Sequence, residues 1–211
     1  VPVLSLAGLW TRFATVDVAG ERLTDLLQVE NKTEAEHICG VNAVVFEDVS
    51  FTYPGDDQPV LEHFSATFPL QQWTCLTGIS GKGKTTLFKL ILGLYEPQSG
   101  KVYLETKQGS VPCSEGTRHL FAYVPQDYAL FSGTVLENLL LVVPDADEQT
   151  RRKALQVAQA EFVYEMADEE NTSLGENNTG LSKGQIQRLA IARAIYASNP
   201  ILLLDESTSS L

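Results

Sequence analysis

The stretch that decides the fold is GISGKGKTT, residues Gly78 to Thr86. It fits the template G-x-x-x-x-G-K-[ST], whose fixed positions are here Gly78, Gly83, Lys84 and Thr85. Glycine permits the positive φ angles with which successive backbone N–H groups turn toward an anion, and the N-terminus of a following helix adds partial positive charge. The motif therefore predicts a loop that binds phosphate. The alternative is an ordinary glycine-rich turn before a helix.

The flanking residues supply the context that this motif needs. The run from Trp73 to Thr77 predicts a strand entering the loop, and the run from Thr86 to Leu92 predicts a helix leaving it. Lys84 would bring a full charge to the phosphates, and the Thr85 hydroxyl would ligate a magnesium ion bridging them. The candidate nucleotide contacts are Gly78, Ser80, Gly81, Lys82, Gly83, Lys84, Thr85 and Thr86. Lys82 can equally be a solvated side chain.

Charge and cysteine content exclude several classes of protein. The chain has 211 residues and a formal net charge of −12, whereas a duplex-binding protein needs a basic face, so we expect no nucleic-acid partner. The cysteines, Cys39, Cys75 and Cys113, are odd in number and widely spaced, which indicates neither a disulfide framework nor a zinc site. A reducing cytosolic environment fits best. No stretch is long and apolar enough to cross a bilayer.

The pattern along the chain predicts an α/β domain preceded by a helix. Apolar residues at three- and four-residue intervals predict a helix over 4–27, and the polar stretch 30–40 reads as a linker. Runs 44–53 and 60–68 around a Pro/Gly/Asp turn predict a β-hairpin. Further predicted elements are strands 100–104 and 120–124, a largely helical middle 134–167, a polar loop 171–180, a helix 185–197 and a strand 201–204 buried on both faces. This alternation indicates a mostly parallel sheet.

Two acids follow the last predicted strand. Asp205 and Glu206 would lie at the carboxyl edge of the sheet, where open α/β sheets bind ligands. Asp205 is placed to hold magnesium through its water shell, and Glu206 to accept a proton from a water attacking the terminal phosphate. The alternative is that both residues only cap the strand end.

Several segments, in this order, give the chain a resemblance to a known family. The phosphate loop is followed by LSKGQIQRLAIARAIY (Leu181 to Tyr196), similar to the signature LSGGQ, and by ILLLDESTSSL (Ile201 to Leu211), which resembles a Walker B strand. The chain resembles the nucleotide-binding domain of ATP-binding-cassette (ABC) transporters of the exporter type. This resemblance implies a P-loop NTPase fold with a mostly parallel central sheet, an N-terminal antiparallel β subdomain and a helical subdomain.

Three shorter segments point to the exporter branch. FTYPG (51–55) resembles the aromatic A-loop, which implies that Tyr53 stacks on adenine and Val60 lines the same base. YVPQDYALFSGTVLENL (123–139) resembles the Q-loop region, so Gln126 would contact magnesium and the attacking water. TSLGE, Thr172 to Glu176, resembles the exporter X-loop. Without the resemblance, Tyr53 is an ordinary hairpin residue and the other segments are polar loops.

The resemblance also implies partners. Two such domains pair head to tail, so the signature residues Ser182, Lys183, Gly184 and Gln185 would serve the partner's ATP, with Lys183 in place of the usual glycine. Residues 1–40 would be the end of the last transmembrane helix and a linker. Residues 41–211 would be a nucleotide-binding domain, incomplete at its C-terminus, where the D-loop aspartate and switch histidine are expected. None of the three histidines, His37, His63 and His119, stands in the position of that switch histidine.

The leading hypothesis is therefore an ATPase motor. It would use MgATP to drive export of a solute through a membrane-spanning domain of the same polypeptide, at the cytoplasmic face of the cell membrane. An alternative is an ATP-binding dimerisation module with little turnover. A third interpretation, a soluble cassette ATPase of DNA repair or translation, is disfavoured by the acidic charge and by the exporter-like FSGTVLENL stretch.

Overall fold

The computed structural model describes residues 38–79, 81, 83–127, 130–144, 147–174 and 180–205. These residues belong to one compact unit, Ala35–Leu211. The predictions made for residues 1–37 and for Ser80, Lys82, Glu176 and Glu206 lie outside the described residues.

The largest sheet is antiparallel and has four strands in the order β2-β1-β3-β4. Its strands are β1 (Val41–Phe51), β2 (Leu61–Pro69), β3 (Ser99–Thr106) and β4 (Gly109–Pro112). The predicted hairpin is confirmed, because β1 pairs antiparallel with β2. On its other side β1 pairs with β3, so β1 lies between two partner strands. The four strands together form the antiparallel β subdomain.

Helix α1 (Lys84–Ile91) packs on this sheet and confirms the helix predicted after the glycine-rich loop. Its buried side chains include Leu87, Leu90 and Ile91, which share one face because they are three and four residues apart. They join the apolar core that β1 and β3 supply, with Phe46, Val49, Phe51, Val102 and Leu104 among its members. This core holds the start of α1 beside the end of β1.

A second core belongs to a helical subdomain. It is built mainly by α2 (Val135–Leu140), α3 (Glu148–Val157) and α4 (Lys183–Tyr196), whose buried side chains include Leu139, Leu155, Leu189 and Tyr196. Short 3₁₀ turns at Glu161–Glu165 and Glu169–Asn171 follow α3. Within the predicted polar loop, Ser173–Leu174 forms a short strand, β7, that pairs antiparallel with β6 (Gly133–Thr134). Among the helices described here, none is long and apolar enough to cross a membrane.

The parallel pairing expected of the central sheet is present between β5 (Phe121–Val124) and β8 (Ile201–Leu204). The prediction that the last strand is buried on both faces was wrong, because Leu202 is 36% exposed. The strand predicted at 73–77 was also wrong: this segment is irregular, and Trp73 is 93% exposed. Successive side chains of a strand point to opposite faces, and Leu202 lies on a face that the described residues leave open. Within the described ranges β8 pairs with β5 alone, so residues 73–77 have no neighbouring strand to pair with.

Candidate functional site

The glycine-rich loop turns as its sequence predicts. Gly81 and Gly83 have φ angles of 80° and 87°, in the left-handed region that glycine enters without steric cost. Nζ of Lys84 donates hydrogen bonds to the carbonyl oxygens of Gly78 at 2.7 Å and Ile79 at 3.2 Å. The ammonium group therefore lies against the loop's own backbone, where the phosphates are predicted to bind.

The two threonines after Lys84 differ in their surroundings. Thr85 is half-buried, as expected of a hydroxyl that a ligand can reach. Thr86 is only 4% exposed, and its Oγ1 lies 3.0 Å from the phenol oxygen of Tyr53. The structure thus places the Thr86 hydroxyl against an aromatic side chain, while its assignment as a nucleotide contact stays a prediction.

Tyr53 and Val60 lie beside the start of α1, as the interpretation of both as base contacts requires. The Tyr53 ring meets those of Phe51 and Tyr95 nearly at right angles, with centroids 5.0 and 5.2 Å away. Val60 stands so close to Gly83 that a Cβ added to the glycine would lie 3.1 Å from Cγ1 of the valine. The hairpin therefore brings the candidate adenine contacts to the phosphate loop.

Asp205 occupies the carboxyl end of the parallel pair. It is 1% exposed, and its backbone N–H extends the ladder by donating to the Val124 carbonyl oxygen at 3.0 Å. Its Oδ2 accepts a hydrogen bond of 3.2 Å from the phenol of Tyr123. Burial, together with the charge and hydrogen bond of Asp205 and the nearby Tyr53, raises the pKa of Tyr123 to about 12. The phenol is thus a neutral donor to this acid.

Tyr123 is the site residue that the sequence analysis missed. A tyrosine in a four-residue strand is ordinary core material, and only its place in the YVPQ stretch pointed to the site. Gln126 lies exposed two residues beyond the same strand. Because β5 and β8 are parallel and Val124 pairs with Leu204, Gln126 and Asp205 both follow the same edge of this pair.

The four signature residues lie together at the start of α4. Ser182 is the N-cap: its Oγ accepts from the Gln185 N–H at 3.2 Å, and Gln185 Oε1 accepts from the Ser182 N–H at 2.8 Å. This reciprocal capping box satisfies two helix-end donors. Lys183 is exposed and Gly184 half-buried. Their service to a partner's nucleotide stays a prediction.

Across the ranges that the structure describes, no group of three or more His, Cys, Asp or Glu residues is placed to hold a metal ion. Of the three candidate magnesium ligands, Asp205 is the acid, and Thr85 and Gln126 offer neutral oxygens.

Comparison with known proteins agrees with this arrangement. The family model for the ABC transporter matches residues 61–209. Over 205 residues the chain is 36% identical to the uncharacterized ABC transporter ATP-binding protein YfiB of Bacillus subtilis (strain 168), covering 94% of this chain and 35% of that protein. It is 35% identical over 219 residues to the ATP-dependent lipid A-core flippase of Mannheimia succiniciproducens, covering 100% of this chain and 37% of that protein.

A solved structure extends the likeness to the fold. A bacterial Atm1-family ABC exporter with ATP bound superposes with a TM-score of 0.80 at 27% identity, over 95% of this chain and 36% of that one. This likeness confirms the expected P-loop NTPase fold with its β and helical subdomains. The chain spans about a third of the length of these relatives. The match over residues 61–209 and the shared fold show that the chain belongs to the ABC transporter family.

Proposed function

We propose that the chain is the nucleotide-binding domain of an ABC exporter, which binds and hydrolyses MgATP to drive a solute across a membrane. The observation that carries this proposal is the arrangement around α1. Lys84 in its first turn lies against the phosphate loop, and Thr86, two residues later, touches Tyr53. The start of one helix thus lies beside the candidate contacts for both ends of ATP: the phosphate loop and Tyr53.

The nucleotide contacts follow from the chemistry of these groups. The loop backbone at Gly78, Ser80, Gly81, Lys82 and Gly83, together with Lys84 and the two threonines, suits a polyphosphate, because N–H groups, hydroxyls and an ammonium all favour anions. Tyr53 offers a ring face and Val60 an apolar side chain to a flat base. These assignments are supported by the closeness of Val60 to Gly83.

Magnesium fits the remaining groups. Mg²⁺ prefers oxygen ligands, and Thr85, Gln126 and Asp205 supply a hydroxyl, a carboxamide and a carboxylate. When bound, the ion would neutralise charge on the outer phosphates. Tyr123 orients the carboxylate of Asp205 by its hydrogen bond. Glu206, the next residue, is proposed as the general base and Gln126 as a further contact for the attacking water.

We propose two partners in addition to residues 1–211. A second nucleotide-binding domain would receive the Ser182, Lys183, Gly184 and Gln185 edge, and a membrane-spanning domain of the same polypeptide would transmit the motion. Residues 1–40 would join that domain to 41–211 at the cytoplasmic face of the membrane. Support comes from the relatives, because one is named an ATP-dependent lipid A-core flippase and the superposed structure is an exporter.

Equilibrium binding of MgATP and release of phosphate test the function together. Lys84→Ala should abolish tight ATP binding, whereas Lys153→Ala, at an exposed position of α3, should not. Glu206→Gln should keep binding and lose turnover. A chain that binds no ATP would overturn the proposal. Binding and dimerisation without phosphate release would instead support the dimerisation module.

A further inference from the structure

Two side chains of α1 contact the same aromatic ring. Thr86 and Lys89 are three residues apart and so lie on the same face of the helix. The Thr86 hydroxyl lies 3.0 Å from the Tyr53 phenol oxygen, and Lys89 Nζ lies 5.1 Å from the Tyr53 ring centroid. The helix thereby holds Tyr53 both at its hydroxyl and over its ring.

Tyr95 completes this arrangement. Lys89 Nζ is also 5.9 Å from the centroid of the Tyr95 ring, and the two tyrosine rings are perpendicular, with an interplanar angle of 90°. The ammonium therefore lies in the corner between two aromatic rings. A cation in this position is attracted by the negative potential of ring faces.

The Tyr53 and Tyr95 rings are the contacts that the structure shows for the Lys89 ammonium. Within the described ranges, none of the ion pairs includes Lys89. Lys89 is half-buried, so part of its hydration is replaced by these rings. Lys89 also lies in the last turn of α1, where the helix dipole stabilises a cation, so the experiment has to separate this structural role from one toward the base.

We propose that Lys89 is a positioning residue for the nucleotide base and acts through Tyr53. This inference rests on the proposed function, in which Tyr53 stacks on adenine. Lys89 lies over one face of the ring, so in this inference the base stacks on the opposite face. The cation also draws electron density from the ring, and this weakens the repulsion between stacked π-systems. Lys89 thus contributes to affinity for the base without touching it.

The test compares a ligand that has a base with one that lacks it. The full chain and the variants Lys89→Met, Lys89→Arg and Lys153→Met are titrated with MgATP and with inorganic triphosphate. Lys89→Met should weaken ATP binding roughly three- to tenfold, because the Tyr53 ring loses the cation that fixes its orientation, and leave triphosphate binding unchanged. Lys89→Arg should restore ATP binding, because guanidinium also stacks on aromatic rings. Lys153→Met, on the exposed face of α3, should behave like the parent.

Each of the other results would overturn either the inference about Lys89 or the proposed function. Equal weakening for both ligands, or no weakening for ATP, would make Lys89 a structural residue only. Failure of the parent chain to bind ATP would instead overturn the proposed function and the inference with it. If Lys89→Met does not fold by circular dichroism, Tyr95→Leu removes one wall around the cation and should give the same selective loss. Unchanged ATP binding by folded Tyr95→Leu would then count against the inference.

Discussion

The phenol of Tyr123 on β5 donates a hydrogen bond of 3.2 Å to Oδ2 of Asp205, immediately after β8. The acid is 1% exposed and has lost almost all of its hydration, so this donor offsets part of a large desolvation cost. The bond joins side chains 82 positions apart in the sequence. It orients the carboxylate that we propose for magnesium.

Tyr123→Phe should therefore destabilise the domain. It leaves one oxygen of a buried carboxylate without its donor, which costs about 1–3 kcal/mol in free energy of unfolding. Urea denaturation measures this change, and Tyr103→Phe, on the half-buried surface of β3, is the matched control. We also expect a weaker dependence of ATP binding on magnesium concentration. Equal stability of the two variants would show that the bond contributes nothing.

The three thiols should differ in reactivity. Burial raises the pKa of Cys113 from 9.0 to about 12, whereas Cys39 and Cys75 are exposed. The folded Cys113 thiol keeps its proton to higher pH than the unfolded thiol. Its contribution to the free energy of unfolding is therefore fully present below pH 9.0 and is lost as the pH rises toward about 12. Iodoacetamide at pH 9.0 should modify Cys39 and Cys75 and spare Cys113. Rapid modification of Cys113 in the folded chain would contradict this, and modification of all three in urea is the control.

Local signals explain which elements the sequence could predict. The capping box of Ser182 and Gln185 lies within four residues, and the helix it opens was predicted nearly to its bounds. The hairpin was likewise marked by its own turn residues. The apolar segment 73–77 carries equally strong local signals, yet a strand exists only where a partner strand accepts its hydrogen bonds. That partner is a property of the whole fold.

The same distinction holds in the site. Motif spacing predicted Lys84 and Asp205, because the loop and the strand end carry their own patterns. The sequence patterns did not predict Tyr123 and Lys89, because these residues matter through contacts with Asp205 and Tyr53, which are distant in sequence. Only the packing of α1 and β5 on their neighbours makes those contacts.

Gly83→Ala should destabilise the chain more than the same substitution at Gly55. Its φ of 87° is strained for alanine, and the added Cβ would lie 3.1 Å from Val60 and 3.3 Å from Leu61. Gly55→Ala is a matched control, because its φ is 91° but nothing lies within 4 Å. Both variants should lose about 1–2 kcal/mol in backbone strain, and Gly83→Ala should lose more through crowding. Thermal unfolding compares them, and equal losses would refute the crowding at Val60.

Ser182 offers the sharpest separation of stability from the proposed activity. Ser182→Ala removes the side chain that caps α4 and should cost about 1 kcal/mol in unfolding free energy. Ser182→Asp keeps a capping oxygen and should hold stability near that of the parent, but it adds negative charge where we propose that a partner's triphosphate binds. In a protein that also carries the proposed membrane-spanning domain, Ser182→Asp should therefore reduce ATP turnover more strongly than Ser182→Ala, although it is the more stable variant. Chemical denaturation and steady-state phosphate release measure the two effects. If turnover instead follows stability across both variants, Ser182 acts only as a helix cap and the proposed contact with a partner's nucleotide is wrong.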